Sequence, residues 1–204
     1  MKIAADESGM ENVEPGSEAT TNVTPEVAVQ RSPITTVAAW IRDLFISVVL
    51  AILVILFLYQ PVKVEGTSMM PALVDQERIF INKFVYKLGM GDIERGDMVV
   101  FWFPQDPTKS YIKRVIGLPG DTVEVDNGTV IVNGRRLEEN YILDRYRDRL
   151  SFPGIKVQAE EFFVMGDHRV SSNDSRNWGT VPRNYIYGKA VFVYWPLDKM
   201  GLLR

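Results

Sequence analysis

The chain has 204 residues, of which 46% are hydrophobic, and a formal net charge of −3 at pH 7. It is long enough for one domain with appendages, and it lacks the basic excess that would suggest a nucleic-acid partner. It has no cysteine and one histidine, His168. These counts exclude disulfides, thiolate catalysis and metal sites built from cysteines or several histidines, and we expect no cofactor.

Residues 1–35 predict a disordered acidic tail. They contain six acidic residues against two basic ones, with frequent Ser, Thr, Pro and Gly. A segment of this composition cannot bury enough apolar surface to form a core. We interpret it as a solvated leader, with a partner-binding segment as the alternative.

Residues 36–60 predict a single transmembrane helix. The run 44–59 is 16 residues without a charge, slightly short for a span, and the apolar residues before Arg42 extend it. Arg42 can snorkel to an interface. Trp40 and Tyr59 would stand about 29 Å apart along a helix, which suits aromatic residues at two membrane interfaces.

A cleavable signal peptide and a buried core helix are the alternatives for this segment. The residues before the apolar run are too many for a signal peptide, and no small-x-small site follows it. The orientation is not decided by charge, because Arg31 and Arg42 precede the run while Lys63 follows it closely.

Residues 61–204 predict a β-rich domain. No long helical period follows residue 60, and Asp126-Asn127-Gly128 is a hairpin signal. The sequence therefore predicts a mainly β, antiparallel, barrel-like domain after one N-terminal helix. The expected strands are 62–65, 78–84, 98–103, 111–117, 122–125, 129–132, 162–165 and 190–195.

Residues 65–73, Glu-Gly-Thr-Ser-Met-Met-Pro-Ala-Leu, place a serine in a conformationally restricted stretch. Gly66 permits turn conformations, and Pro71 pushes Met70 toward an extended one. Such a stretch can hold the Ser68 hydroxyl in one exposed position with backbone N–H groups nearby. The alternative is an ordinary strand-to-turn junction.

Two later stretches also concentrate polar residues. Residues 113–121 read Lys-Arg-Val-Ile-Gly-Leu-Pro-Gly-Asp, and residues 166–176 read Gly-Asp-His-Arg-Val-Ser-Ser-Asn-Asp-Ser-Arg. Strand alternation could turn Lys113 inward, which is unfavourable unless the amine is paired or neutral. The second stretch could also be a solvated loop with internal salt bridges.

The three stretches, in this order after one apolar span, resemble the type I signal peptidases. That family has a serine box, here Ser-Met-Met-Pro at 68–71, a lysine box, here 113–121, and a closing box, here 166–176. The resemblance covers residues from about 62 to 195. One such box is a weak signal, whereas three in order behind a membrane anchor are a strong one.

The resemblance implies a serine endopeptidase that removes signal peptides from exported preproteins after a small-x-small site. It implies a single-pass protein of the cytoplasmic (inner) membrane, with the catalytic domain on the extracytoplasmic side. Its partners would be preprotein signal peptides, the lipid bilayer and, as a candidate, the secretion translocon.

The resemblance also implies the roles of individual residues. Ser68 matches the nucleophile and Lys113 the general base, Ser172 matches a serine that hydrogen-bonds and orients the lysine, and Asp174 with Arg176 matches a buttressing ion pair. Extended substrate would lie between two strands, at positions that match Val62, Val64, Gly66, Ser110, Tyr111 and Ile112.

The chemistry explains why a buried lysine is needed. Serine is a poor nucleophile until a base takes its proton, and a free lysine is neutral in only about one molecule in 250 at pH 8. Burial lowers the lysine pKa, and we expect Tyr111, Val164 and Met165 to form the walls. The Ser68 N–H is the expected first oxyanion donor.

The chain departs from the family pattern at three positions. Gly66 stands where some members supply a second oxyanion hydroxyl, and Ala72 stands where threonine is usual. His168 stands where asparagine is usual, which raises a rival Ser68–His168–Asp167 triad. We disfavour the triad, because adjacent side chains on one loop rarely aim at each other and Lys113 would have no role.

Three functional hypotheses follow. The preferred one is a membrane-anchored Ser-Lys leader peptidase. The second is a related Ser-Lys protease with a restricted client, such as a pilus or conjugation protein. The third is a catalytically silent membrane-anchored β domain that binds extended peptides, although the presence of both Ser68 and Lys113 argues against it.

Overall fold

The apolar N-terminal segment forms one long helix. The computed structural model describes residues 33–87 and 91–203, so most of the predicted acidic tail lies outside the described residues. Helix α1 spans Pro33–Leu58, and a proline is well suited to the first helical turn because the N–H that it lacks would have no intrahelical partner. The helix therefore begins three residues before the predicted span.

Helix α1 could span a membrane. Its window Val37–Ile55 is 19 residues long with a mean hydropathy of 2.2, and none of it is buried. Among the described residues it is the one helix long and apolar enough for a span. A core helix would be mostly buried, so the exposure of these apolar side chains disfavours that alternative.

The chain divides into two compact units, 1–45 and 46–204, and the second contains the β structure. Two short helices, α2 Phe84–Lys87 and α3 Ser175–Trp178, accompany the strands. In chain order the strands are β1 Tyr59–Lys63, β2 Arg78–Asn82, β3 Met98–Phe103, β4 Asp106–Gly117, β5 Thr122–Asp126, β6 Thr129–Val132, β7 Arg135–Arg136, β8 Phe152–Lys156, β9 Glu161–Met165, β10 Val181–Pro182, β11 Ile186–Trp195 and β12 Gly201–Leu202.

The strands form two antiparallel sheets. The larger has the order β1-β2-β11-β3-β4-β9-β10, with β12 paired to β11, and the smaller has the order β7-β6-β5-β8. The predicted mainly β, antiparallel class is confirmed. The barrel-like closure is not seen among the described strands, because each sheet order has two free ends.

Several strands differ from the prediction for identifiable reasons. Strand β8 contains Pro153-Gly154, which reads as a turn, but it lies at the edge of its sheet, where proline is tolerated. Strand β11 begins at Ile186 rather than 190, and a register irregularity lies between Ile186 and Gly188. Pro61 ends the predicted helix and is accommodated in β1, which is also an edge strand.

Strand β4 carries the transition from surface to core. Its first half is largely exposed, whereas its last five residues, from Lys113 to Gly117, are buried. It lies between β3 and β9, and Lys113 pairs in register with Val99 of β3. A lysine therefore stands at the first fully buried position of a central strand, and this placement determines the chemistry of the site.

Candidate active site

Residues 65–73 form a turn that is anchored to the core by its buried side chains. Met69 and Leu73 are buried in the core, and the turn is closed by the Met70 N–H, which donates to the Thr67 carbonyl at 3.1 Å. Gly66 has a φ of +96°, a conformation that glycine adopts without strain. Ser68 thus lies in a turn between Gly66 and the buried Met69.

The Ser68 hydroxyl meets the Lys113 amine. Lys113 Nζ lies 2.7 Å from Ser68 Oγ and 3.1 Å from the Ile112 carbonyl oxygen. Only 4% of the Lys113 surface is exposed. Two residues that are 45 positions apart in the chain are therefore in direct hydrogen-bond contact, which is partly buried.

The surroundings of Lys113 favour its neutral form. Burial lowers the pKa of Lys113 from 10.5 to about 8, although the charges of Asp174 and Asp167 act in the opposite direction. The Tyr111 ring, a predicted wall, has its centroid 5.3 Å from Nζ. Val164 and Met165 are buried in β9, and their contact with the amine stays a prediction.

The two carboxylates that act on Lys113 are each held by an arginine. Both oxygens of Asp167 bond to Arg114, at 2.9 and 2.7 Å. Both oxygens of Asp174 bond to Arg176, at 2.8 and 2.9 Å. The predicted pair of Asp174 and Arg176 is therefore formed, and it is a two-pronged contact, the strongest kind of arginine–carboxylate pair.

The closing stretch, residues 166–176, packs tightly against the backbone of Ser68. A Cβ added to Gly166 would lie 2.5 Å from the Ser68 carbonyl oxygen and would also overlap the Ser172 side chain. Glycine at this position therefore lets the two segments touch. The Gly166 N–H is bonded in turn to Asp174 Oδ2 at 3.1 Å, which ties the ion pair to the nucleophile loop.

The predicted hydrogen bond from Ser172 to Lys113 is not formed. The Ser172 hydroxyl is buried and has no hydrogen-bond partner among the described residues. It lies against Gly166, and the hydrogen bonds of the Lys113 amine go to Ser68 and the Ile112 carbonyl instead. Ser172 is therefore near the site, but in this structure it does not orient the lysine.

The hydrogen-bond partners of Ser68, His168 and Asp167 exclude the rival triad. The Asp167 carboxylate is used by Arg114. The His168 ring lies with Nδ1 3.2 Å from the Thr67 carbonyl oxygen, and the Ser68 hydroxyl bonds to Lys113. The Asp–His and His–Ser contacts that a triad needs are both replaced by other partners.

A cleft of about 410 Å³ runs past Ser68 and Lys113. All six predicted substrate-binding residues line it: Val62, Val64, Gly66, Ser110, Tyr111 and Ile112. Residues 62–66, which begin at the end of β1, and residues 110–113 of β4 thus line one cleft together with Ser68. Among the described residues, no cluster of three or more His, Asp or Glu side chains could hold a metal ion.

Two more lining residues, Lys63 and Glu65, lie within the predicted substrate segment 62–66. Sequence reasoning missed four others, which are Met69, Val100, Asn173 and Tyr187. Val100 pairs in register with Ile112, so correct pairing of the two predicted strands would have found it. Tyr187 lies in the part of β11 that was not predicted, and no sequence signal connects it to the cleft.

Comparison with known proteins identifies the family. Residues 37–195 match the family described as "Signal peptidase, peptidase S26". Signal peptidase I P of Bacillus subtilis subsp. natto is 42% identical over 170 residues, which cover 79% of this chain and 90% of that protein. The chain belongs to the signal peptidase family.

Two further proteins are also similar to this chain. Probable signal peptidase I-1 of Synechocystis sp. is 37% identical over 186 residues, which cover 86% of this chain and 93% of that protein. A crystal structure of a signal peptidase I from Enterococcus faecalis V583 is 30% identical and covers 48% of this chain and 97% of its own, with a TM-score of 0.43.

As a signal peptidase, the chain is a serine endopeptidase that removes signal peptides. The resemblance noted from the three boxes is confirmed, and the hypothesis of a catalytically silent peptide-binding domain is set aside. The single candidate span in helix α1 fits a membrane-anchored member of the family.

Replacement of Lys113 by methionine should stabilise the fold, and the gain should depend on pH. The pKa is about 8 in the folded protein and 10.5 without burial. Below pH 8 the folded state must therefore either hold a disfavoured ammonium or give up a proton, at a cost of about 3 kcal/mol. This cost shrinks as pH rises from 8 to 10.5.

Unfolding of the full chain in detergent, followed across this pH range, measures the effect. The melting temperature of Lys113→Met should exceed that of the unsubstituted protein most clearly below pH 8. Lys109→Met is the control, because Lys109 is exposed and paired with Asp106. A difference that does not change with pH would contradict a depressed pKa at Lys113.

Proposed function

We propose that this signal peptidase cleaves preproteins with Ser68 as nucleophile and Lys113 as general base. The observation that carries the proposal is the 2.7 Å contact between Lys113 Nζ and Ser68 Oγ inside a buried environment. A neutral amine at this distance can accept the hydroxyl proton directly. The lowered pKa of Lys113, about 8, makes the neutral form available near physiological pH.

The reaction proceeds in two halves. As Ser68 Oγ bonds to the scissile carbonyl carbon, its proton passes to Lys113 and the carbonyl oxygen becomes an oxyanion. The Lys113 ammonium then gives the proton to the departing amine, which leaves an acyl group on Ser68. In the second half, neutral Lys113 takes a proton from water, the hydroxide adds to the ester, and collapse returns the proton to Ser68.

The oxyanion is stabilised by the backbone of the nucleophile turn. Among the described residues nothing accepts a hydrogen bond from the Ser68 N–H, so this donor is free for the developing charge. Gly66 contributes no hydroxyl, and its N–H donates to Asp75 Oδ1 at 2.8 Å. A second donor therefore does not come from residue 66.

Substrate binds as an extended strand between β1 and β4. The cleft is lined by apolar side chains, among them Val62, Val64 and Ile112, together with polar ones such as Lys63 and Asn173. Side chains of an extended peptide alternate in direction, so the first and third residues before the cut enter the cleft together. We expect small residues at both positions, as the family resemblance implies, which gives a small-x-small cleavage site.

Helix α1 anchors the enzyme, with residues 61–204 on the extracytoplasmic side of the cytoplasmic membrane and the acidic tail inside. We propose this orientation because signal peptides are presented to the enzyme at the outer face after export. The cleft residues Val62 and Lys63 follow the end of α1 by only a few positions. The cleft is therefore tethered close to the membrane, where a signal peptide leaves the bilayer.

Lys113→Ala and Lys113→Arg should each lose turnover by about 10³-fold or more, because both remove the general base. Arginine keeps the positive charge but does not give up its proton near neutral pH. The unsubstituted enzyme should show kcat/KM that rises with pH through about 8, as the pKa of Lys113 requires. Single-turnover cleavage of a preprotein in detergent measures these rates.

Lys109→Arg is the matched control for that experiment, since it makes the same change at an exposed position of the same strand. It should leave cleavage intact, and Ser68→Ala should define the background. An active Lys113→Arg enzyme would overturn the assignment of Lys113 as the base.

Cleavage should follow a small-x-small sequence. The effect of a large substrate side chain should depend on whether that side chain points into the cleft or away from it. A large aromatic residue placed immediately before the cut should abolish processing. The same aromatic residue placed one position earlier should be tolerated, because that side chain points away from the cleft. Mass spectrometry of the products locates the cut, and efficient cleavage of the first variant would refute this specificity.

The proposed orientation predicts which part of the chain is accessible from outside. Protease added to intact spheroplasts should digest the β domain and leave an epitope at the N-terminus protected. After lysis, both should be digested. Protection of the β domain, with loss of the N-terminal epitope, would reverse the topology.

A further inference from the structure

The His168 side chain contacts the peptide group that precedes the nucleophile. Its Nδ1 lies 3.2 Å from the Thr67 carbonyl oxygen, within hydrogen-bond range. The same oxygen accepts from the Met70 N–H at 3.1 Å. The carbonyl of the Thr67–Ser68 peptide is thus held by two donors, one from its own turn and one from the closing loop.

The other half of that peptide group is the Ser68 N–H, the proposed oxyanion donor. A peptide unit is planar, and its C=O and N–H point in opposite directions. Donors that fix the carbonyl oxygen of Thr67 therefore also fix the direction of the Ser68 N–H. They also polarise the amide, because hydrogen bonds in a chain strengthen one another.

The His168 ring is itself held in place by aromatic packing. It meets the Tyr146 ring edge-on with the centroids 4.7 Å apart, and the Arg145 guanidinium lies 4.9 Å from the centroid of the same tyrosine. Tyr146 is buried. This packing limits rotation of the imidazole and keeps Nδ1 aimed at the Thr67 carbonyl.

The side chain is not needed to attach the closing loop to the nucleophile turn. The His168 backbone N–H already donates to the Ser68 carbonyl at 3.0 Å, and any residue at position 168 would make that bond. The close packing at Gly166 and the Arg114–Asp167 ion pair also hold this loop in place. The imidazole therefore adds a contact whose effect is on the Thr67–Ser68 peptide.

We infer that His168 is a positioning residue for the oxyanion donor: its Nδ1–H holds the Thr67 carbonyl and thereby aims and polarises the Ser68 N–H. This inference rests on the proposed role of Ser68 as nucleophile. A carbonyl oxygen can only accept, so the neutral imidazole must carry its proton on Nδ1. This is the less common tautomer of histidine in water.

Substitutions that preserve or remove the donor test the role. In asparagine, Nδ2 lies the same number of bonds from the backbone as Nδ1 in histidine, so His168→Asn keeps a donor in place. His168→Leu has nearly the same shape as asparagine without a donor. His168→Leu should lower kcat by about 10-fold or more, less than the 10²–10³ for loss of a whole oxyanion donor, with KM little changed, and His168→Asn should recover most of the loss.

Val170→Ala is the control for the loop, since Val170 is 62% exposed, and it should keep the unsubstituted rate. Melting temperatures of all variants separate a loss of activity from a loss of folding. Equal kcat in His168→Leu and His168→Asn, with both folded, would overturn the positioning role. If Ser68→Ala remains active, the proposed function itself fails, and this outcome is distinct from the first.

A spectroscopic test does not depend on activity. His168 is the only histidine in the chain, so ¹⁵N labelling of histidine gives one imidazole spectrum without assignment, provided that no histidine tag is present. Long-range ¹H–¹⁵N correlations across a pH series should show the neutral ring with its proton on Nδ1. A neutral ring protonated on Nε2 would contradict the inference.

Discussion

The contact between the buried Lys113 amine and the half-buried Ser68 hydroxyl is the constraint on which the site depends. A lysine with 4% of its surface exposed is tolerated only if it is neutral or paired, and its hydrogen-bond partners are a hydroxyl and a carbonyl rather than a carboxylate. The fold therefore lowers the pKa of the amine, so that a usable fraction of Lys113 is neutral near physiological pH. The same property makes it a base, so the energetic cost of its burial is inseparable from its proposed catalytic use.

Two arginines reduce the effect of the nearby carboxylates on the pKa of Lys113. Asp174 and Asp167 would both raise the pKa of Lys113, and an unpaired carboxylate in their place would do so more strongly. Each instead faces a guanidinium, Arg176 in one case and Arg114 in the other. The ion pairs are buried, where breaking a pair by removing one partner is strongly destabilising. The closing stretch thus shapes the site and moderates its charge.

Much of the fold could be predicted from the sequence because its signals are local, whereas the pairing of Ser68 with Lys113 was implied by the family resemblance of the three boxes. The apolar run of α1, the alternating strands and the turn chemistry around Ser68 depend on near neighbours. The separation into two sheets and the cleft position of Tyr187 depend on long-range pairing, which periodicity does not encode. Ser172 shows the limit of transferred roles: it lies near the site, as the resemblance implies, but its hydroxyl has no hydrogen-bond partner in the part of the chain that the structure describes. His168 was read as a rival base, whereas its ring turns to the Thr67 carbonyl.

The most direct measurement is an NMR titration of the Lys113 amine in the full-length enzyme. Labelled lysine side chains would be observed across the alkaline pH range, and the Lys113 signal would be identified by its loss in Lys113→Met. The account predicts a titration midpoint near the pKa of about 8 that burial imposes on this group. A midpoint near 10.5, the value of a lysine without burial, would contradict it, because Lys113 would then be neutral in only about one molecule in 3,000 at pH 7, instead of about one in ten.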